Sequence, residues 1–213
     1  MKITRQNLLL YAITDRTWLN GRSLLSQVEE VLKNGATFLQ LREKNLSYNE
    51  LVEEAVKIKE LSSRYNVPFV INDNIYAARE AGADGVHIGQ DDASYIKARE
   101  VLGHGKIIGM TAHNLDEALA AQEAGADYIG TGAVFPTSTK HNTTPLSLNA
   151  LKEITNNIKI PVVAIGGINQ SNILNLKGSG IDGAAVISAI FAHENPGIAT
   201  AEMLNLCREV VNG

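Results

Sequence analysis

The chain has one cysteine, Cys207, in 213 residues. A single thiol excludes a disulfide framework within the chain. Its setting in an apolar helical pattern (Met203, Leu204, Leu206, Val210, Val211) marks it as a small core residue rather than a nucleophile. No apolar run approaches the roughly 20 residues needed to cross a bilayer. The opening MKITRQNLLLYAITD holds only a short apolar stretch, broken at Thr14 and Asp15, with no small-residue cleavage signal. The expected compartment is the cytoplasm. The formal net charge of −4 lacks the basic excess of a general nucleic-acid binder, yet it leaves room for a local basic pocket. No G-x-G-x-x-G follows the first strand, where LYAITDRTWLNG stands instead, and the five histidines show no metal-ligand spacing.

Apolar residues make up 45% of the chain and charged residues 20%, enough for one continuous core with an ordinary surface. Short β-rich runs begin at Leu8, Phe38, Pro68, Gly85, Lys106, Tyr128, Val162 and Gly183. They are continuous apolar runs, as strands buried on both faces of a parallel sheet should be. Between them the apolar residues take helical spacing: Leu24, Val28, Val31 and Leu32 share one face, as do Leu51, Ala55, Ile58 and Leu61.

An internal repeat supports the count. Asn34-Gly35-Ala36-Thr37, Ala81-Gly82-Ala83-Asp84, Ala124-Gly125-Ala126-Asp127 and Ser179-Gly180-Ile181-Asp182 each close a helix and open an even-numbered strand, with the glycine as a left-handed helix stop. Four doubled βα units make eight. The α/β pattern without an obvious linker predicts a single (β/α)8 TIM barrel over residues 1–213, and an open doubly wound sheet is the alternative.

In such a barrel the chemistry sits at the C-terminal strand ends, and polar residues gather there. Strand two runs out through Gln40, Leu41, Arg42, Glu43 and Lys44. Period-two alternation puts Gln40, Arg42 and Lys44 on one side, where cations suit a phosphate or diphosphate, and Leu41 in the opposite packing layer. The same residues would also make a solvated charged turn. Asn72 and Asp73 end strand three, and Asp91 and Asp92 follow strand four. Such carboxylates suit a hard cation such as Mg2+, or would cap the helices that come next. After strand six, residues 132–145 carry Thr137, Ser138, Thr139, Lys140 and His141, either a lid over an anion or a plain loop. Gly166 and Gly167 after strand seven, with Ile187 and Ser188 after strand eight, form the place where barrels often hold phosphate. His87 is expected inside strand four and His113 near the rim, while His104, His141 and His193 read as loop residues.

The ordered set of Tyr11-Ala12-Ile13-Thr14-Asp15, Gln40 to Lys44, Asn72-Asp73, Gly85 to Asp92, Phe135 to Lys140 and Ala164 to Ile168 resembles the thiamine phosphate synthase family along nearly the whole chain. The resemblance implies a magnesium-assisted transferase of thiamine biosynthesis. It joins 4-amino-2-methyl-5-hydroxymethylpyrimidine diphosphate to 4-methyl-5-(2-hydroxyethyl)thiazole phosphate and releases diphosphate. It assigns Gln40, Leu41, Arg42, Glu43, Lys44, Asn72, Thr111 and Lys140 to the pyrimidine diphosphate, with Arg42, Lys44 and Lys140 as the catalytic cations. Asp73 and Asp92 fall to Mg2+, and Thr137, Ser138, Thr139, Gly166, Ile187 and Ser188 to the thiazole phosphate.

Two positions depart from the family pattern. Thr111 stands where serine is usual, and Ala133 replaces a proline before the lid, an exchange expected to loosen the lid's entry. A thiazole tautomerase-like isomerase, a non-catalytic phosphate-binding barrel and a phosphosugar isomerase are the alternative readings. The expected partners are small-molecule substrates, neither nucleic acid nor membrane, and self-association into a homo-oligomer is left open.

Overall fold

A computed structural model of the chain describes residues 3–89, 95–137 and 145–213. Eight parallel strands close into a barrel in sequence order, the last pairing with the first. They are β1 (Leu10–Ile13), β2 (Phe38–Leu41), β3 (Phe69–Asn72), β4 (Gly85–Ile88), β5 (Ile107–Ala112), β6 (Tyr128–Gly132), β7 (Val162–Ile165) and β8 (Gly183–Val186). Around them run α1 (Leu24–Lys33), α2 (Tyr48–Arg64), α3 (Ile75–Glu80), α4 (Tyr95–Leu102), α5 (Leu115–Ala124), α6 (Leu148–Asn157), the one-turn α7 (Ser188–Phe191) and α8 (Pro196–Val211). A 3-10 turn, Ile173–Leu176, takes the place of a helix between β7 and β8.

β1 starts two residues later than its apolar run suggests. Thr4 and Asn7 form a reciprocal capping box that winds Arg5–Leu8 into a 3-10 turn, so Leu8 plugs the barrel floor from below the strand. β3 and β5 likewise start one residue past Pro68 and Lys106.

Alternation divides each strand between two layers. Leu10, Ala12, Leu39, Leu41, Phe69, Ile71, Val86, Ile88 and Ile108 point outward into one cluster with the helix faces. Tyr11, Ile13, Phe38, Val70, Ile107, Tyr128, Val163 and Ala185 point inward. Tyr11, Phe38 and Tyr128 meet edge-to-face at the centre, with ring centroids 4.6–5.9 Å apart, the geometry that opposes ring edge to ring face.

The internal repeat has a second purpose besides helix termination. Gly35, Gly82, Gly125 and Gly180 all take positive φ, and the polar residue two positions on ties the start of the preceding strand. The carboxylates of Asp84, Asp127 and Asp182 accept from the backbone N–H of Phe69, Ile108 and Val162 at 2.9, 2.8 and 2.8 Å. Thr37 Oγ1 accepts from Leu10 N–H at 2.9 Å. Each aspartate also meets a cation: Lys59 at 2.7 Å, Arg99 at 3.1 Å and Arg5 at 2.5 Å. The N-terminal end of the barrel is thereby laced by one motif used four times.

Candidate active site

A cleft of about 370 Å3 opens at the C-terminal strand ends, lined by residues from all eight strands or the loops that follow them. The inward layer of β2 continues into it, so that Gln40, Arg42 and Lys44 line one arc, with Asn72 and Asp73 beside them on the β3 side. Neither Arg42 nor Lys44 forms an ion pair with any described carboxylate. A cation left unmatched at a concave rim is poised for an anionic ligand.

For Leu41 and Glu43 the expectation is revised. Period-two alternation turns both side chains away from the cleft. Leu41 is fully buried against the helices, and Glu43 Oε1 lies 2.9 Å from Arg16 Nε. That approach is off the N–H direction, so it acts as a coulombic pair rather than a directed hydrogen bond. Burial raises the Glu43 carboxyl above the usual range, against the pull of Arg16. Only the backbone of these two residues is left for a ligand.

Asp73 sits in the left-handed region at φ 62, rare for a residue with a Cβ. Its N–H donates to His87 O at 2.8 Å, and Asn72 Nδ2 donates to its Oδ2. The capping role belongs to Asn74, whose side chain accepts from Ala77 N–H. The capping reading of Asp73 therefore falls, and its carboxylate lines the cleft. Backbone strain kept at a rim carboxylate is the kind found at functional positions.

Across the cleft, Gly166 (φ 100) and Gly167 (φ 65) both need the left-handed region. A Cβ on Gly166 would come within 2.4 Å of Ala133 Cβ, and one on Gly167 within 2.4 Å of Pro136 O. No larger residue could turn here beneath the β6 loop. Ile187 and Ser188 line the same arc, and no side chain caps the one-turn α7 that begins at Ser188. Thr137 reaches the cleft from the β6 loop. The entry of that loop is held in place: Val134 and Phe135 donate to Ile165 O and Gly166 O, and Ala133 O accepts from Leu146 N–H. Asp92, Ser138, Thr139 and Lys140 lie outside the described residues, as does His141.

Four further polar residues belong to this region: His87 and His113, whose positions were expected from sequence, and Tyr11 and Tyr128, whose roles were not. Tyr11, His87 and His113 line the cleft, and Tyr128 lies directly beneath it. His87 Nε2 is 3.1 Å from Thr111 Oγ1, and His87 Nδ1 is 2.9 Å from Tyr128 Oη. His113 Nδ1 is 2.9 Å from Glu117 Oε2, which also accepts the His113 N–H at 2.8 Å. Counting back by two from Arg42 along its strand flags Phe38 as inward, and His87 is inward as expected. The pairing of His87 with Tyr128 crosses from β4 to β6 and has no local signature. Cys207 is buried, its thiol pushed up to about 12 by that burial, and it lies far from this chemistry in α8.

Comparison with known proteins bears on these arcs. The family model described as "Thiamine monophosphate synthase" matches residues 10–190. A thiamine-phosphate synthase of Clostridium novyi is 48% identical over 201 residues, covering 94% of this chain and 98% of the relative. One from Clostridium acetobutylicum is 49% identical over 183 residues, 86% of this chain and 87% of the relative. The structure of thiamine phosphate pyrophosphorylase from Pyrococcus furiosus superposes with a TM-score of 0.89 at 39% identity, over 97% of this chain and 98% of that one. Sequence and barrel agree along nearly the whole chain. The chain belongs to the thiamine monophosphate synthase family.

Proposed function

We infer that the rim carries out the reaction of that family as a transferase: the thiazole nitrogen of 4-methyl-5-(2-hydroxyethyl)thiazole phosphate displaces diphosphate from the methylene carbon of 4-amino-2-methyl-5-hydroxymethylpyrimidine diphosphate. The observation that carries this reading is one cleft with two separate arcs suited to anions. Arg42 and Lys44 make the first, and the Gly166–Gly167 turn with Ser188 makes the second. One arc takes the diphosphate that leaves, the other the phosphate that stays. Residues 1–213 work as one domain, on small molecules, in the cytoplasm; no described helix is long and apolar enough to cross a membrane.

The difficulty of the reaction is charge. As the C–O bond breaks, negative charge concentrates on the departing diphosphate and positive charge on the pyrimidine methylene. Arg42 and Lys44, joined by Lys140 from the β6 loop, stabilise the first. Preorganised charge aimed at a developing anion is commonly the largest catalytic contribution. Gln40, Asn72 and Thr111 hold the pyrimidine, while Thr137, Ser138 and Thr139 close on the thiazole phosphate with Gly166, Ile187 and Ser188. No protein nucleophile is called for.

The residues at the rim fit Mg2+. Among the described residues no three His, Cys, Asp or Glu side chains converge. Mg2+, however, keeps waters and accepts substrate phosphate oxygens, so one or two carboxylates suffice. Asp73, strained into the cleft and not used as a cap, provides one, and Asp92 is the proposed second. When bound, the ion would neutralise part of the leaving group's charge. Incubation of both substrates with and without Mg2+, followed by measurement of thiamine phosphate and diphosphate, tests the reading. No product in the presence of Mg2+ would remove it.

A further inference from the structure

Beneath the cleft, five side chains are joined in series across five strands. Gln40 Nε2 donates to Tyr11 Oη. Tyr11 Oη lies 2.8 Å from Tyr128 Oη, Tyr128 Oη 2.9 Å from His87 Nδ1, and His87 Nε2 3.1 Å from Thr111 Oγ1. The two ends, Gln40 and Thr111, line the cleft, whereas Tyr128 is wholly buried and does not.

Two neighbouring strands leave out inward side chains to accommodate the series. A Cβ on Gly109 would stand 2.1 Å from the Tyr128 ring, and one on Gly130 would stand 3.2 Å from His87 Cε1. The barrel centre could have been filled with phenylalanine, which needs no hydrogen-bond partner. Burying two phenols and an imidazole instead is costly unless every polar atom is matched. Here they are matched to one another and to the floor of the cleft.

Such a series has a direction. Burial pushes both phenols far above their ordinary titration range, so each keeps its one hydroxyl hydrogen. One arrangement uses every hydroxyl hydrogen within the series: with Gln40 donating, Tyr11 donates to Tyr128, and Tyr128 to His87 Nδ1. A neutral imidazole then carries its hydrogen on Nε2 and donates to Thr111 Oγ1. This leaves the Gln40 carboxamide oxygen as an acceptor and turns the Thr111 hydroxyl hydrogen away from His87.

We propose that Tyr11, Tyr128 and His87 are positioning residues: the hydrogen-bonded series fixes which of Gln40 and Thr111 accepts and which donates toward the pyrimidine. The site thereby selects a ring bearing an amino donor and a ring-nitrogen acceptor over one with the opposite polarity. The inference rests on the proposed reaction for the identity of the ring, and adds residues of which Tyr128 lies wholly beneath the cleft.

Tyr128→Phe tests it, since that ring meets no ligand. The expected result is a rise of about tenfold in KM for the aminopyrimidine diphosphate, with KM for the thiazole phosphate unchanged. Preference for the amino substrate over its 4-oxo analogue falls by about the same factor. Tyr11→Phe should act alike, and the double variant should be no worse than either single one, because a series broken once is already broken. Unchanged amino-over-oxo preference in a folded Tyr128→Phe would overturn the proposal. So would equal rises in KM for both substrates, the mark of general loosening. Should Tyr128→Phe fail to fold, Tyr11→Phe carries the same comparison. Calorimetric binding of the pyrimidine diphosphate alone keeps the two readings apart: wild type that prefers the amino ring yet makes no thiamine phosphate overturns the reaction and supports the series.

Discussion

The two ends of the barrel use charge in opposite ways. At the N-terminal strand ends Asp84, Asp127 and Asp182 each hold an N–H at or next to the start of a strand and a cation, so each carboxylate is satisfied within the fold. At the C-terminal ends Arg42 and Lys44 face a cleft with no described carboxylate paired to them. The first arrangement closes a ring of strands and has no spare capacity. The second is left without a counter-charge among the described residues, as a rim meant for an anion should be. A barrel can support both because its strands insulate one end from the other with a packed aromatic centre.

If that division is real, substitutions at the two ends should separate stability from turnover. The largest effect is expected at the rim. Arg42→Ala should lower turnover by about two to three orders of magnitude, the usual consequence of losing one group aimed at developing charge. Its thermal midpoint should stay near that of the wild type, because no described partner is orphaned. A single-turnover assay beside a melting curve reads both quantities. Near-normal turnover would take Arg42 out of the reaction.

Asp182→Ala should do the reverse. It strips the acceptor from the buried Val162 N–H and the partner from Arg5. The cost should be about 1–3 kcal/mol, the desolvation penalty of an unsatisfied buried donor. Arg5 is mostly exposed and adds little. The midpoint in urea should fall while turnover per folded molecule holds. A matching loss of turnover would show that the base and rim are coupled. Smaller still is Asp73→Asn, which should raise the Mg2+ concentration for half-maximal rate by about tenfold. An unchanged metal titration would end the ligand assignment.

How much of this was legible in the sequence differs between the same two ends. Eight strands could be counted because strands buried on both faces read as unbroken apolar runs. The glycines of the repeat were visible as helix stops. The aspartates two residues later were equally visible, yet their task was not: it depends on where the preceding strand begins in space. The rim set Gln40, Arg42, Lys44, Asn72 and Asp73 followed from period-two alternation and position. The same rule turns the Leu41 side chain into the opposite packing layer and applies equally to Glu43, which the contiguous motif carried along with its neighbours. Tyr11 and Tyr128 were hidden differently. Each reads as an ordinary strand residue, and their linkage to His87, itself expected inside β4, needs three strands in register, which local pattern does not contain.

The smallest effect belongs to a pair at the rim that behaves like the base. Burial would raise the Glu117 carboxyl, but the His113 N–H, the His113 ring and the Asn114 amide outweigh it, and the net shift is downward. A carboxyl depressed in the fold contributes stability above its unfolded value, about 4.3 for glutamate, and loses it as pH falls through the lower folded value. Glu117→Gln keeps an acceptor but not the charge. It should leave the thermal midpoint at pH 7 within about 2 °C, given the partial exposure of the pair, and flatten the fall of that midpoint below about pH 4.3. Thermal denaturation scanned from neutral to acid pH measures the difference. An acid limb identical to that of the wild type would mean that the charge of Glu117 does nothing for the fold, and that His113 is oriented toward the cleft by other neighbours.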